Sequence, residues 1–173
     1  MNDNATVQLT IDGQQVSVPQ GTSIWDAARE IKKDIPVLCH SPGMSPVGVC
    51  RMCVVDVGER VLAASCVRDC QEGMEVHTNS PAVEKHRSML TQLLLADHPS
   101  PCEREQTTGD CDLEALGRRY QLLSAEEKKS VQTADMLISQ NGRSQDESSP
   151  VIAVDHQSCI LCDRCIRACD DIQ

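Results

Sequence analysis

The 173-residue sequence contains no phenylalanine, one tryptophan (Trp25) and one tyrosine (Tyr120). Aromatic side chains supply much of the buried area of ordinary cores. A chain this poor in them builds small cores, and small cores need a staple. No apolar run approaches the ~18 residues of a membrane-spanning helix, so no direct membrane insertion is expected. The opening residues, MNDNATVQLT, show neither the basic stretch nor the apolar stretch of an export signal. A cytoplasmic location is therefore expected, either free or on the cytoplasmic face of a membrane complex. Cations are also scarce: 16 Lys and Arg face 26 Asp and Glu, for a formal charge of −10. Nucleic acid is excluded as a partner, because phosphate contacts need clustered Lys and Arg. An acidic surface suits a basic protein partner or a larger assembly, or simply keeps the chain soluble. There is no G-x-G-x-x-G after a strand, no P-loop and no plausible nucleophile–base pair, so no catalytic residue is assigned.

Cysteine, by contrast, is abundant, with eleven residues. A chain without an export signal stays where thiols are kept reduced. The count is odd, and most of these residues stand in tight C-x2-C groups, the spacing of metal and cluster ligands rather than of a disulfide framework.

Four segments are expected. Residues 1–80 read as a compact α+β unit. VQLTIDGQQVSV alternates apolar residues around Asp12-Gly13, a hairpin signal. Thr22 or Ser23 caps a helix whose Ile24, Ala27, Ala28 and Ile31 share a face. A Pro/Gly-rich loop, a second hairpin with its turn near Gly58 and a short strand in EGMEVHT follow. Residues 81–123 read as helical: one helix begins after Pro81 with a stripe of Val83, Met89, Leu90, Leu93 and Leu94, and stops before HPSP. A second helix lies in DLEALGRRYQLL. Residues 124–150 are polar and read as a linker. Residues 151–173 form a cysteine-rich tail.

The first cysteine group, Cys39, Cys50, Cys53 and Cys66, offers the four thiolates that a [2Fe–2S] cluster requires. Gly43 and Gly48 allow backbone N–H groups to approach cluster sulfur. A structural zinc site made of the same four cysteines is the alternative. Cys70 is a fifth thiol nearby and reads as a free, partly buried cysteine. The order hairpin, helix, cysteine loop, hairpin and closing cysteine resembles the plant-type ferredoxin β-grasp fold. The wide first gap in PVLCHSPGMSPVGVCRMCVV is most similar to the N-terminal iron–sulfur region of the large (75 kDa-type) subunit of NADH:quinone oxidoreductase. NAD-linked formate dehydrogenase alpha subunits and NAD-reducing or iron-only hydrogenases share that module. The resemblance covers nearly all of residues 5–173.

Two further segments continue the resemblance. HPSPCEREQTTGDCDLE resembles a segment that, in the family, binds a [4Fe–4S] cluster through one His and three Cys. His98, Cys102 and Cys111 fall in register, but Glu105 stands where the middle cysteine is expected. The three remaining ligands leave open a labile or three-iron cluster, or no cluster and a loop kept for packing. In the tail, Cys159, Cys162, Cys165 and Cys169 form the C-x2-C-x2-C-x3-C run of bacterial ferredoxins, a [4Fe–4S] signature whose fourth cysteine ligates the other cluster in two-cluster proteins. The resemblance implies the first half of a 2x[4Fe–4S] domain, so the chain reads as the N-terminal piece of a longer protein; otherwise Cys169 completes a single cluster. The expected fold is thus a β-grasp ferredoxin domain, a small helical His/Cys segment and a truncated bacterial-ferredoxin-like tail. The expected function is electron transfer within an NADH dehydrogenase, formate dehydrogenase or hydrogenase-type oxidoreductase. Its partners would be other oxidoreductase subunits, including one that binds flavin and NADH. A stand-alone ferredoxin-like carrier or redox-responsive binding protein is the alternative.

Overall fold

A computed structural model of the chain describes residues 5–123 and 145–172. Most of the expected polar linker, residues 124–144, lies outside the described residues. The chain divides into two compact units, the first comprising residues 1–87 and 162–173 and the second residues 88–161.

The first unit starts from its hairpin. Strands β1 (Thr6–Ile11) and β2 (Gln14–Pro19) pair antiparallel, with Leu9 opposite Val16 and Val7 opposite Val18. Asp12 and Gly13 turn the chain at φ +47° and +82°. Positive φ at both central residues matches the right-handed twist of the flanking strands, and Asp and Gly tolerate it. Alternation then puts Leu9, Ile11, Val16 and Val18 on one buried face. Strand β5 (Glu75–Val76) adds to β1 in parallel, giving the order β2-β1-β5.

Helix α1 (Ile24–Glu30) covers that face with Ile24, Trp25, Ala27 and Ala28. Ser23 is its N-cap: its hydroxyl accepts the Asp26 N–H at 3.1 Å and donates to the Asp26 carboxylate at 2.7 Å. The Trp25 indole N–H donates to the Ile35 carbonyl at 3.0 Å, so the one tryptophan is buried without an orphaned donor. Strands β3 (Val54–Val55) and β4 (Ala63–Ala64) make the second hairpin.

Helix α2 (Pro81–Asp97) begins on its proline and ends just before His98. Its buried positions are Val83, Arg87, Thr91 and Leu95, whereas Met89 and Leu93 of the expected stripe are more than half exposed. Val83 is buried and Leu90 and Leu94 half-buried as expected; Met89 and Leu93 give up the buried face to polar side chains. Arg87 is 1% exposed and donates to the carbonyls of Met52 (3.1 Å), Val54 (2.7 Å) and Thr78 (2.9 Å). Its planar fork satisfies backbone acceptors that no apolar side chain could serve.

In the second unit, α3 (Glu103–Thr107) and α4 (Asp112–Arg119) follow the last turns of α2, with a two-stranded ribbon of β6 (Gln145–Asp146) and β7 (Val154–Asp155). Gly117 lets helices approach closely: a Cβ there would sit 2.9 Å from both Leu95 and Leu123.

Helix α5 (Arg164–Ile172) belongs to the first unit and is tied to the cysteine loop by polar bonds. Arg167, almost fully buried, donates to the carbonyls of Cys39 and Ser45. The Ser45 N–H in turn donates to the Asp171 carboxylate at 2.8 Å.

These bonds have measurable consequences. Burial opposes ionisation of Asp12, but bonds from the Thr78 hydroxyl (2.6 Å) and N–H (2.8 Å) and the Lys33 ammonium outweigh it and hold the carboxyl below its ordinary value. A carboxyl lowered on folding stabilises the protein above its unfolded pKa, and that stabilisation is lost as the pH falls through the folded value. Asp12→Asn, which tolerates the same turn, should cost about 1 kcal/mol at neutral pH. The deficit should shrink below about pH 4 in paired melting curves. Arg167→Met should speed amide exchange of residues 164–172 by about ten- to a hundredfold, because charged hydrogen bonds of this kind contribute roughly 1.5–3 kcal/mol.

Candidate metal centre

The first cysteine group gathers in the loop that follows α1 and in the hairpin of β3 and β4. Cys39, Cys53 and Cys66 are buried and Cys50 is half-buried. The Cys53 and Cys66 sulfurs lie 3.3 Å apart, and the Cys50 N–H points at the Cys39 Sγ at 3.5 Å. All eleven cysteines are free thiols, so these contacts are not disulfides. Local structure sets the approach. Gly48, at φ +64°, holds a backbone conformation that favours glycine, and a Cβ there would sit a tight 3.2 Å from the Val67 Cγ2. The Ser65 hydroxyl donates to the Cys53 carbonyl at 2.7 Å, and the Trp25 backbone N–H holds the Ser65 carbonyl at 3.0 Å, which locks the Cys66 side of the loop to α1.

The electrostatics of the four thiols are mutual. The Cys39 thiol hydrogen-bonds Cys50 and lowers its pKa to about 6, while that bond and burial push Cys39 up. The Cys66 thiol does the same for Cys53, lowering it to about 6, and is itself raised by that bond and by burial. Within each pair the shared hydrogen bond and burial favour ionisation of one thiol and oppose that of its partner. A cationic centre relieves that opposition, since coordination deprotonates thiols outright. The donor set is soft, sulfur-only and mostly buried, which fits an iron–sulfur cluster. Cys70 stands apart: it is packed in the core, and burial pushes its thiol up to about 11.

The second unit holds a different group. His98 Nε2 lies 3.6 Å from the Cys111 Sγ. His98, Cys102, Cys111 and Glu114 each offer one ligand atom, all within 4.8 Å of one another. Glu114 was not expected here. It sits in the first turn of α4, its carboxylate accepts the Cys102 N–H at 2.7 Å, and it is 3% exposed. Glu105, the residue in register with the family's middle cysteine, is engaged elsewhere: it accepts the Cys111 N–H at 3.1 Å and pairs with Arg118 at 2.6 Å. A signal for Glu114 existed in the sequence, an acidic residue one turn beyond Cys111, but a carboxylate in a helix's first turn is ordinarily explained by the helix dipole. With two thiols, one imidazole and one carboxylate, this group does not supply the sulfur-rich donor set of a four-iron cluster.

In the tail, Cys159 is half-buried in the loop after β7. Cys162 is half-buried just before α5, and Cys165 and Cys169 stand one helical turn apart on α5, both exposed.

Residues 4–81 match the family model described as a 2Fe-2S iron-sulfur cluster binding domain. The chain also matches the crystal structure of an NAD+-reducing [NiFe]-hydrogenase in the H2-reduced state, with a TM-score of 0.76, 30% identity, and coverage of 95% of this chain and 66% of that one. The NADH-ubiquinone oxidoreductase 78 kDa subunit, mitochondrial, of Candida albicans (strain SC5314 / ATCC MYA-2876) is 34% identical over 97% of this chain and 22% of its own length. The corresponding 78 kDa subunit of Neurospora crassa is 35% identical over the same shares, 97% and 22%. The NADP-reducing hydrogenase subunit HndD of Solidesulfovibrio fructosivorans is 34% identical over 95% of this chain and 28% of its own. The chain thus spans between about a fifth and somewhat over a quarter of the length of these curated relatives. Residues 4–81 belong to the 2Fe-2S iron-sulfur cluster binding domain family, and the chain as a whole is a homologue of a segment of the NADH-ubiquinone oxidoreductase 78 kDa subunit and of its hydrogenase relatives.

Proposed function

We propose that this chain is an electron-relay module of a multi-subunit oxidoreductase of the NADH dehydrogenase, formate dehydrogenase or hydrogenase type. Cys39, Cys50, Cys53 and Cys66 hold a [2Fe–2S] cluster in a β-grasp domain of residues 1–80. A helical His/Cys segment follows at residues 81–123. Cys159, Cys162, Cys165 and Cys169, in residues 151–173, are thiolates of the [4Fe–4S] type, in the first half of a two-cluster domain. The observation that carries this reading is the convergence of four cysteines, with the Cys53 and Cys66 sulfurs 3.3 Å apart and the Cys50 N–H on the Cys39 sulfur, inside a segment that matches a [2Fe–2S] domain family.

When bound, the cluster supplies a site that accepts and releases one electron at a time. The chain's own residues do the rest. The four thiolates fix the centre's position, and Trp25, Val55 and Ala64 exclude water around it. The Cys50 N–H directed at the Cys39 sulfur is the kind of contact that tunes a reduction potential. No helix among the described residues is long and apolar enough to cross a membrane. The electron's ultimate source and destination lie in partners, which we infer include a subunit binding flavin and NADH.

The test is an iron and acid-labile sulfide count with electron paramagnetic resonance on anaerobically purified protein. Wild type should show the reduced [2Fe–2S] signal. Cys50→Ser should lose or degrade it and lower the melting temperature, because the cluster staples a small core. Zinc without iron or sulfide in the wild-type protein, or a Cys50→Ser protein with unchanged spectrum and melting, would refute the relay.

A further inference from the structure

We propose that His98, Cys102, Cys111 and Glu114 hold a single zinc-class divalent cation, where relatives of this fold would be expected to carry a sulfur-rich cluster.

The argument begins with the donors. Two sulfurs, one imidazole nitrogen and one carboxylate oxygen are the ligand types of zinc, which takes four of them as a tetrahedron. Here each of the four residues places one such atom within 4.8 Å of the others. The mixed sulfur, nitrogen and oxygen set is poorly matched to cluster iron, because the carboxylate is a hard ligand. Every position is filled by protein, so the site is closed, in the manner of a structural rather than a catalytic zinc.

Burial supplies the second, independent reason. Cys102, Cys111 and Glu114 are 3%, 6% and 3% exposed. A buried carboxylate needs a counter-charge. Yet among the described residues Glu114 makes no ion pair, although Glu105 pairs with Arg118 and Asp110 with Arg104 close by in sequence. A divalent cation at the meeting point of the four ligand atoms supplies that charge. It also fits the different partners of the two acidic residues: Glu114 offers an oxygen to the group of four, while Glu105 accepts the Cys111 N–H and pairs with Arg118.

Position supplies the third. His98 follows the last residue of α2, Cys102 is the N-cap of α3, Cys111 is the N-cap of α4, and Glu114 lies in the first turn of α4. One ion therefore clamps the ends of three helices in a unit whose buried apolar side chains, among the described residues, are few. Zinc has no one-electron chemistry. If the relay reading above holds, this unit positions its neighbours and stores no electron; the ion-binding claim itself stands without that reading.

The test uses the full chain, reconstituted anaerobically with iron and sulfide and then equilibrated with zinc, in wild type and three variants. Wild type should retain one zinc per chain that Cys111→Ser lacks. Glu114→Gln should bind zinc about tenfold or more weakly. Glu105→Gln, whose amide oxygen can still accept the Cys111 N–H, should keep the zinc with a smaller loss than Glu114→Gln. Cobalt(II) in the same site should give the intense visible bands of a tetrahedral thiolate complex in wild type and Glu105→Gln and lose them in Cys111→Ser, a local readout that does not depend on overall folding. The proposal is overturned if Cys111→Ser loses iron and sulfide rather than zinc, if all four proteins hold the same zinc, or if Glu105→Gln loses the metal while Glu114→Gln retains it. The [2Fe–2S] resonance arises from the other unit. Its absence from wild type would remove the relay reading while leaving the zinc count interpretable.

Discussion

Four thiols, three from the loop after α1 and one from the end of the β3–β4 hairpin, are the constraint around which the first unit is arranged. Sulfur atoms at 3.3 Å, without a disulfide between them, are crowded groups in which one thiol ionises at its partner's expense. Such an arrangement is hard to justify as packing, since any apolar side chain would fill the space without the electrostatic penalty. It is well explained as a ligand cage, in which a positive centre turns mutual opposition into binding energy. The neighbouring elements then make sense as supports. The Trp25 backbone holds the hairpin that carries Cys66, the Gly48 backbone closes on Val67, and a buried Arg87 satisfies the carbonyls flanking Cys53.

The two units use the same residue types to different ends. In the first, four sulfurs and no carboxylate make a donor set suited to redox iron. In the second, one sulfur fewer than the family pattern and a buried glutamate shift the chemistry toward a harder, redox-silent ion. The change is small in sequence and large in consequence, because ligand softness selects the metal more sharply than backbone shape does. The helix ends around His98 bring two thiols, one imidazole and one carboxylate together.

Helix α5 connects the first cysteine loop with the last cysteine run. Arg167 reaches from that helix to the Cys39 carbonyl, so a charge-assisted bond ties the segment bearing Cys165 and Cys169 to the loop bearing Cys39. The bond joins side chain to main chain across 128 residues of sequence, and nothing in the local spacing of the cysteines requires it.

What the sequence determined by itself was local. The Asp12-Gly13 turn, the Ser23 cap and the stop before His98 all follow from backbone preferences of one or a few residues. The C-x2-C spacings marked thiols as ligands because that chemistry depends on short chain segments. Tertiary structure decided what lies between distant residues: that α2 buries Arg87 and Thr91 instead of Met89 and Leu93, that Glu114 rather than Glu105 meets His98, and that Arg167 finds the Cys39 carbonyl. Each is a polar group whose burial is tolerable only where a partner from elsewhere in the chain satisfies it. Periodicity counts apolar residues along one element; it carries no information about which buried polar group will meet its partner across the fold.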